Sequence, residues 1–190
     1  MSAIKLIIGL ANPGEQYSAT RHNAGAWFVD LLAKDQGAKF RLETKAKCQV
    51  TKITQPKPTL LAIPNNYMNL SGLAVRAAMN FYKIQSNEVL VAHDEIDLPC
   101  GIARIKETGG HGGHNGLRDI IKHLGTNDFW RLRIGVDRPE RSSQVENYVL
   151  KAPRKEEQTL IDDALCRAQH ITEQLINGDF QSAMLKLHTQ

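Results

Sequence analysis

Four short polar segments carry the side chains of this sequence that could do chemistry, and each lies at or after an apolar run typical of a buried strand. They span residues 20–23, 64–69, 92–95 and 109–115. The first contains His22, and histidine is the side chain best matched to proton transfer near neutral pH. Because ligands of α/β proteins collect at the carboxyl ends of strands, these segments predict one site built from several loops.

His22 and Asp94 are the pair predicted to carry the reaction. Asp94 lies at the end of an apolar strand, where a carboxylate can hold an imidazole in one tautomer and stabilise its charged form. No serine stands in a nucleophile elbow and no cysteine lies beside a histidine, so water activated by His22 is the predicted nucleophile. The pattern favours hydrolysis without a covalent enzyme intermediate. For His22 taken alone, a satisfied surface histidine is the alternative.

Three asparagines are predicted at the same edge of the sheet. Asn12, Asn69 and Asn115 each end a loop there, whereas Asn23 is better explained as the N-cap of the helix that follows it. A turn or a helix cap is the alternative role for each of the three. An amide side chain offers two donors and one acceptor, so three amides can hold a carbonyl and a water together.

Two other kinds of site have partial support in the sequence. Residues 9–14 match G-x-A-x-x-G after a strand, but Ala11 replaces the glycine that lets a dinucleotide pyrophosphate approach, and no helix opens at once. A metal site could be drawn from His93, Asp94, His111 and His114. The glycines on both sides of the last two argue against it, because metal ligands usually sit on rigid elements. Both alternatives are therefore disfavoured.

The composition excludes several classes of protein. With 42% hydrophobic and 23% charged residues the chain is neither disordered nor collagen-like, and no apolar run approaches the ~20 residues of a membrane span. The start of the chain is interpreted as a first strand rather than a signal peptide, so a cytoplasmic location is expected. Cys48, Cys100 and Cys166 are odd in number and widely spaced, which indicates neither a disulfide framework nor a zinc ribbon.

Positive charge is unevenly placed along the chain. The net charge is +4, with nine Lys or Arg against four Asp or Glu in residues 1–60 and eight against five in residues 104–141. The remaining two segments each carry a net −2. This split favours a basic face for an anionic partner, and nucleic acid is preferred to lipid because no basic amphipathic helix is present.

Apolar runs bounded by turn residues alternate with helical patterns, which predicts one α/β domain with a mostly parallel sheet. Helices are predicted at residues 24–34, 71–83, 116–124, 153–177 and 180–187. Strands are predicted at residues 4–10, 48–54, 59–63, 89–92, 102–106, 129–136 and 145–150.

The same patterns predict which side chains are buried. Leu73, Ala77 and Phe81 are predicted to face inward from the second helix, and Leu160 to begin the apolar stripe of the long C-terminal helix. The strand at 129–136 alternates apolar residues with Arg131, Arg133 and Gly135, which predicts one buried and one polar face.

Taken together, the blocks at residues 9–14, 20–25, 66–72, 93–95 and 110–117 resemble the bacterial peptidyl-tRNA hydrolases in order and spacing. The resemblance runs from about Ile4 to the C-terminal helices. It implies a single three-layer α/β/α domain over residues 1–190 with a mixed, mostly parallel twisted sheet. It also implies a cytoplasmic monomer that needs no metal or cofactor, contacts no membrane, and cleaves the ester between a peptide and the 3′-terminal ribose of tRNA.

The family's functional residues carry over to matching positions of this sequence. By resemblance His22 is the catalytic base and Asp94 its orienting partner. The same resemblance implies that Lys106 and Arg133 grip the 5′-phosphate of tRNA. It further implies that Asn12 and Asn69 contact the peptide or the catalytic water, that Asn115 positions that water, and that His114 lines the substrate site. Tyr17 and Tyr67 are predicted as further substrate-binding residues.

Two alternative functions belong to other classes. A non-catalytic RNA-binding protein would use the same basic surface, but it has no need for His22 beside Asp94. A general esterase for small substrates is disfavoured by the basic charge and by the absence of a serine elbow. Hydrolysis of peptidyl-tRNA is therefore the preferred prediction.

Overall fold

Seven strands form one mixed sheet in the computed structural model, which describes residues 2–189. The strands are β1 (Leu6–Gly9), β2 (Arg41–Glu43), β3 (Cys48–Ile53), β4 (Thr59–Pro64), β5 (Val89–Glu95), β6 (Ala103–Glu107) and β7 (Trp130–Gly135). Their order across the sheet is β2-β3-β4-β1-β5-β7-β6. The central strands β4, β1, β5 and β7 are parallel, and the pairings β2-β3, β3-β4 and β6-β7 are antiparallel. Among the strands of residues 2–189, only β3 and β6 thus run against the common direction.

Helices cover both faces of the sheet, so the predicted three-layer α/β/α architecture is confirmed. The helices are α1 (Ala24–Asp35), α2 (Ser71–Tyr82), α3 (Asn115–Leu124), α4 (Val145–Val149), α5 (Lys155–His170), α6 (Thr172–Asn177) and α7 (Phe180–His188). One buried apolar cluster joins the sheet to α1, α5, α6 and α7, and a second joins it to α2 and α3. No helix within residues 2–189 combines the length and the apolar character needed to cross a bilayer.

The chain changes direction across the sheet at β1. After β1 and α1 it builds β2 and β3 and returns to pair β4 beside β1, and then α2 leads it to β5 on the other side of β1. The two crossover helices lie on opposite faces. Such a switch point leaves a crevice at the carboxyl ends of the strands, which is where ligands of open α/β sheets bind.

The segment predicted as a strand at 145–150 is helical instead. Val145–Val149 forms α4, which is held by hydrogen bonds to distant parts of the chain. The Tyr148 hydroxyl donates to the Val136 carbonyl at 2.7 Å, and Arg21 Nη1 donates to the Tyr148 carbonyl at 3.2 Å. The spacing of Val145 and Val149 suits a helix as well as a strand, so the sequence pattern could not separate the two.

The buried face of α2 also differs from the prediction. Leu73 and Phe81 are exposed, and the helix buries Ala74, Val75 and Ala78. The physical reason is the close approach of α3: a Cβ atom on Gly72 would lie 2.2 Å from the Asp119 carbonyl oxygen. A contact this tight admits only small side chains, whereas hydrophobicity alone had favoured the large ones.

Two further predictions about burial were wrong. Arg131 is only 2% exposed, so β7 does not have a solvent-facing polar side at that position. The long C-terminal helix divides into α5 and α6 at Ile171, and Leu160 is 48% exposed rather than part of the buried stripe.

Candidate active site

Two glycines let the start of α1 press against the carboxyl ends of β1 and β5. A Cβ atom on Gly25 would lie 2.2 Å from the Ala92 carbonyl oxygen, and one on Gly9 would lie 2.3 Å from the Gly25 carbonyl oxygen. Neither position can therefore carry a side chain without displacing backbone. This packing accounts for Gly9 without a dinucleotide, and it brings the 3₁₀ turn Arg21–Asn23 onto β5.

His22 and Asp94, the pair predicted to carry the reaction, lie in direct contact. His22 Nδ1 donates to the two carboxylate oxygens of Asp94 at 2.9 and 3.1 Å, and both residues are buried. His22 Nε2 has no hydrogen-bond partner among residues 2–189, and the side chain lines a cleft. An imidazole whose Nδ1 proton is held by a carboxylate presents an unprotonated Nε2, which can accept a proton from water.

A second histidine shares the same carboxylate. His114 Nε2 donates to Asp94 Oδ1 at 2.9 Å, and the His114 ring lies 4.8 Å from the His22 ring, centroid to centroid. His93 does not join this cluster, because its Nδ1 donates to the Asp94 backbone carbonyl at 2.7 Å. The sequence thus predicted the pair but not the triple arrangement around Asp94.

The electrostatics follow from burial and from these bonds. Burial lowers the pKa of His22, but the charge and hydrogen bond of Asp94 more than compensate, so the pKa lies above its ordinary 6.5. Burial raises the pKa of the Asp94 carboxyl, yet His22 and His114 hold it well below its usual range. His93 is fully buried, and desolvation lowers its pKa to about 3. Asp94 is therefore ionised and His93 neutral near pH 7.

One possible ligand atom from each of His22, Asp94 and His114 lies within 4.8 Å of the other two, close enough to raise the question of a metal ion. The ring nitrogens that face Asp94 sit at hydrogen-bond distance from its oxygens. A nitrogen that carries a proton offers no lone pair to a cation. Hydrogen bonding rather than coordination accounts for the cluster. His111 and His93, also considered for a metal from the sequence, are not part of it.

Asn12 is fixed by its neighbours and presents one free group. Its Oδ1 accepts from the Met68 backbone N–H at 2.8 Å, and its backbone exchanges hydrogen bonds of 2.9 and 3.0 Å with the Asn23 side chain. Asn12 Nδ2 has no partner among the described residues, and the side chain lines the cleft. Asn12 is therefore a donor toward the cleft. Asn23 lies at the N-cap of α1 but makes no cap bond, so the predicted capping role was wrong.

The other predicted site residues surround the same cleft, whose volume is about 770 Å³. Asn69 and Asn115 line it with exposed amides, and Asn115 Oδ1 accepts from Arg118 at 2.9 Å. Tyr67 also lines the cleft. Tyr17 is not among the residues that line the cleft, but its ring lies edge to face with the Tyr67 ring, with centroids 6.3 Å apart. The cleft thus collects residues from the loops after β1 and β4, the end of β5, the start of α3, and α4.

Lys106 and Arg133 lie on the neighbouring antiparallel strands β6 and β7. Lys106 is opposite Arg131 in the register and Arg104 is opposite Arg133, so all four basic side chains leave the same face of the sheet. Arg133 Nε donates to Glu95 at 2.9 Å, while the Lys106 ammonium is exposed and forms no ion pair within the described chain. Arg131 is buried, so Lys106 is the exposed cation of this face, with the partly exposed Arg133 beside it.

Sequence reasoning missed two buried arginines that fix the walls of the cleft. Arg131 donates to the carbonyls of Gly109 and Gly110 and so anchors the glycine-rich loop. Arg21 stacks on the Tyr148 ring at 4.0 Å and pairs with Glu157 at 2.8 Å, which ties the wall containing α4 to the turn that carries His22. For Arg131, the only signal in the sequence is its place inside a mainly apolar strand. For Arg21, it is the position next to His22.

Comparisons with known proteins agree over almost the entire chain. A profile of the peptidyl-tRNA hydrolase family matches residues 6–190. The peptidyl-tRNA hydrolase of Nitrosospira multiformis is 50% identical over 188 residues, covering 98% of each chain. That of Pectobacterium atrosepticum is 52% identical over 190 residues, covering 99% of this chain and 97% of the relative.

A solved structure gives the same result. The crystal structure of the peptidyl-tRNA hydrolase from Acinetobacter baumannii is 41% identical in sequence and superposes with a TM-score of 0.95 over 98% of this chain and 95% of that one. This chain belongs to the peptidyl-tRNA hydrolase family and is an enzyme that releases the peptide from peptidyl-tRNA by hydrolysis.

Proposed function

We propose that His22 is the general base of this hydrolysis and that Asp94 orients it. The observation that carries the proposal is the buried His22–Asp94 hydrogen bond, which leaves Nε2 free at the cleft. In the first step Nε2 takes a proton from water, and the hydroxide attacks the ester carbonyl that joins the peptide to the 3′-terminal ribose. Asp94 stabilises the imidazolium that forms.

The second step expels the ribose. The tetrahedral intermediate collapses, the bond between the carbonyl carbon and the ribose 3′ oxygen breaks, and the His22 imidazolium returns its proton to that oxygen. The products are tRNA with a free 3′ hydroxyl and the carboxylic acid of the peptide, which loses its proton to solvent and becomes a carboxylate. An ester is a reactive substrate, so water activation and oxyanion stabilisation suffice without a metal or cofactor.

The asparagines are assigned distinct roles by their free groups. Asn12 donates through Nδ2 to the developing oxyanion or the peptide carbonyl, because its Oδ1 is already engaged by Met68. Asn69 contacts the peptide. Asn115 holds the catalytic water through its exposed amide. Tyr67, whose ring lies edge to face with that of Tyr17, provides an apolar contact for the substrate.

Lys106 and Arg133 are proposed to bind the 5′-phosphate of tRNA. Lys106 has no competing anionic partner among residues 2–189, and only the Nε group of Arg133 is used by Glu95. Two cations on one face match a terminal phosphate, and this contact reads the end of the acceptor stem rather than its sequence. We further propose that the enzyme acts as a cytoplasmic monomer, as the family resemblance implies.

The test is His22→Ala, measured on N-blocked aminoacyl-tRNA and compared with free-amine aminoacyl-tRNA. We expect turnover to fall by ~10²–10⁴-fold while tRNA affinity stays close to the parent value, because the phosphate contacts lie elsewhere. His170→Ala, an exposed histidine on α5, is the matched control. Near-parental turnover of His22→Ala would reassign the base. Hydrolysis that stops after EDTA treatment and returns only with zinc would refute the metal-free mechanism.

A further inference from the structure

His114 has both ring nitrogens engaged. Its Nε2 donates to Asp94 Oδ1 at 2.9 Å, and its Nδ1 accepts from the backbone N–H groups of Gly116 and Leu117 at 3.1 and 3.3 Å. His114 is the N-cap residue of α3, so these two donors are free N–H groups of the first helical turn. An imidazole therefore occupies a position where serine, aspartate or asparagine is the usual cap.

These contacts select one tautomer. A backbone N–H can only donate, so Nδ1 must be unprotonated, and a carboxylate can only accept, so Nε2 must carry the proton. His114 has no free lone pair toward the cleft, whereas His22 keeps Nε2 open. The two histidines beside Asp94 are therefore chemically different although they bind the same carboxylate.

We propose that His114 is a positioning residue. It ties Asp94 to the first turn of α3, and it draws on the negative charge of Asp94 that also acts on His22. This rests on the proposed function of His22 as the base. Asp94 Oδ1 accepts from both rings at 2.9 Å, so each donor weakens the carboxylate as an acceptor for the other. Without the His114 donor, Asp94 would hold the charged form of His22 more tightly, and His22 would release its proton only at higher pH.

The groups that face His22 are few. Asp94 comes from β5 and His114 from the start of α3, while Arg21, on the same turn, is occupied by Glu157. His93, on β5, lies edge to face with His114 at 5.1 Å. Other ionisable side chains line the cleft and belong to Glu95, His111, Arg138 and Glu146. Only Asp94 forms a hydrogen bond with His22 within the described chain, so the sharing of Asp94 decides the effect.

Two substitutions test separately the two hydrogen-bonding roles of the His114 ring, which are the acceptor Nδ1 toward α3 and the donor Nε2 toward Asp94. In His114→Asn, the side-chain oxygen takes the place of Nδ1 and can still cap α3, but nothing replaces the donor to Asp94. In His114→Gln, the longer amide can donate to Asp94 in place of Nε2–H, while the cap is weakened. Both variants are measured for kcat/KM from pH 5 to 9 on N-blocked aminoacyl-tRNA, for Tm, and for titration of the His22 Cε1–H signal by NMR.

We expect the acid limb of kcat/KM and the His22 titration to move upward by ~0.5–1 pH unit in His114→Asn, with Tm near the parent value. In His114→Gln the acid limb should stay near the parent position and Tm should fall. An unmoved His22 titration in a folded His114→Asn, or equal shifts in both variants, would overturn the proposal. Neither result affects the assignment of His22 as the base, which His22→Ala tests separately.

Discussion

Asp94→Asn is the perturbation that probes the site most directly. The substitution keeps the shape of the side chain but removes the charge that faces His22 Nδ1 at 2.9 and 3.1 Å. With a charge separation of ~4 Å and an effective dielectric constant near 20, the lost attraction between imidazolium and carboxylate is ~4 kcal/mol. A loss of that size in the transition state corresponds to a ~10³-fold fall in kcat.

The same change has a signed effect on the pH profile. In the parent enzyme Asp94 holds the pKa of His22 above 6.5 against the lowering effect of burial. In Asp94→Asn only burial remains, so the pKa of His22 falls below 6.5 and the acid limb of kcat/KM moves to lower pH. This is opposite in direction to the shift expected for His114→Asn.

The assay is single-turnover hydrolysis of N-blocked aminoacyl-tRNA from pH 5 to 9, with thermal melting to confirm folding. Asp163→Asn, an exposed carboxylate on α5, is the control and should leave both the rate and the profile unchanged. A kcat within ~10-fold of the parent, or an acid limb that stays in place or moves upward, would refute the reasoning that Asp94 acts on His22 through its charge.

Three further outcomes are expected. Lys106→Ala should raise KM with kcat nearly unchanged, and the slope of log affinity for tRNA against log salt concentration should become shallower by roughly one unit. Substitution of the exposed Lys57 by alanine should change neither quantity. An equal loss of activity on full-length tRNA and on a truncated 3′-end substrate would place Lys106 in the catalytic centre. Gly25→Ala should destabilise the fold by ~1–3 kcal/mol or more in urea unfolding because its Cβ would meet the Ala92 carbonyl, while Gly110→Ala, with open space around it, should not. Burial lowers the pKa of His93 to about 3, so the unfolded chain takes up a proton at this position below pH 6.5 whereas the folded protein does not. The free energy of unfolding should therefore fall as pH decreases from 6.5 toward 3, by up to ~1.4 kcal/mol per pH unit. His93→Asn should make this pH dependence of the free energy of unfolding less steep, and an unchanged dependence would contradict the burial of a neutral His93.

Much of the fold could be predicted because local pattern and global architecture agree. The sequence has apolar strands that are bounded by turn residues and separated by segments of helical periodicity, and this alternation predicts the α/β class. The polar residues at the carboxyl ends of the strands predict where the site lies. The predictions failed where a pattern is ambiguous or where packing overrides it. The segment 145–150 is too short for its period to distinguish strand from helix, and α2 turns Leu73 and Phe81 outward because α3 crosses too closely at Gly72.

The sequence by itself determined the residue types of the site and their order along the chain, since catalysis requires a base, a carboxylate and amides whatever their surroundings. Only the tertiary structure decided that Asp94 receives two imidazoles, that His114 is held in one tautomer by α3, and that Arg21 and Arg131 anchor the cleft walls. Apart from the local hydrogen bonds of His114 to the first turn of α3, these contacts join residues 20 to 136 positions apart. Their geometry depends on which strands become neighbours, and no local pattern of the chain contains that information.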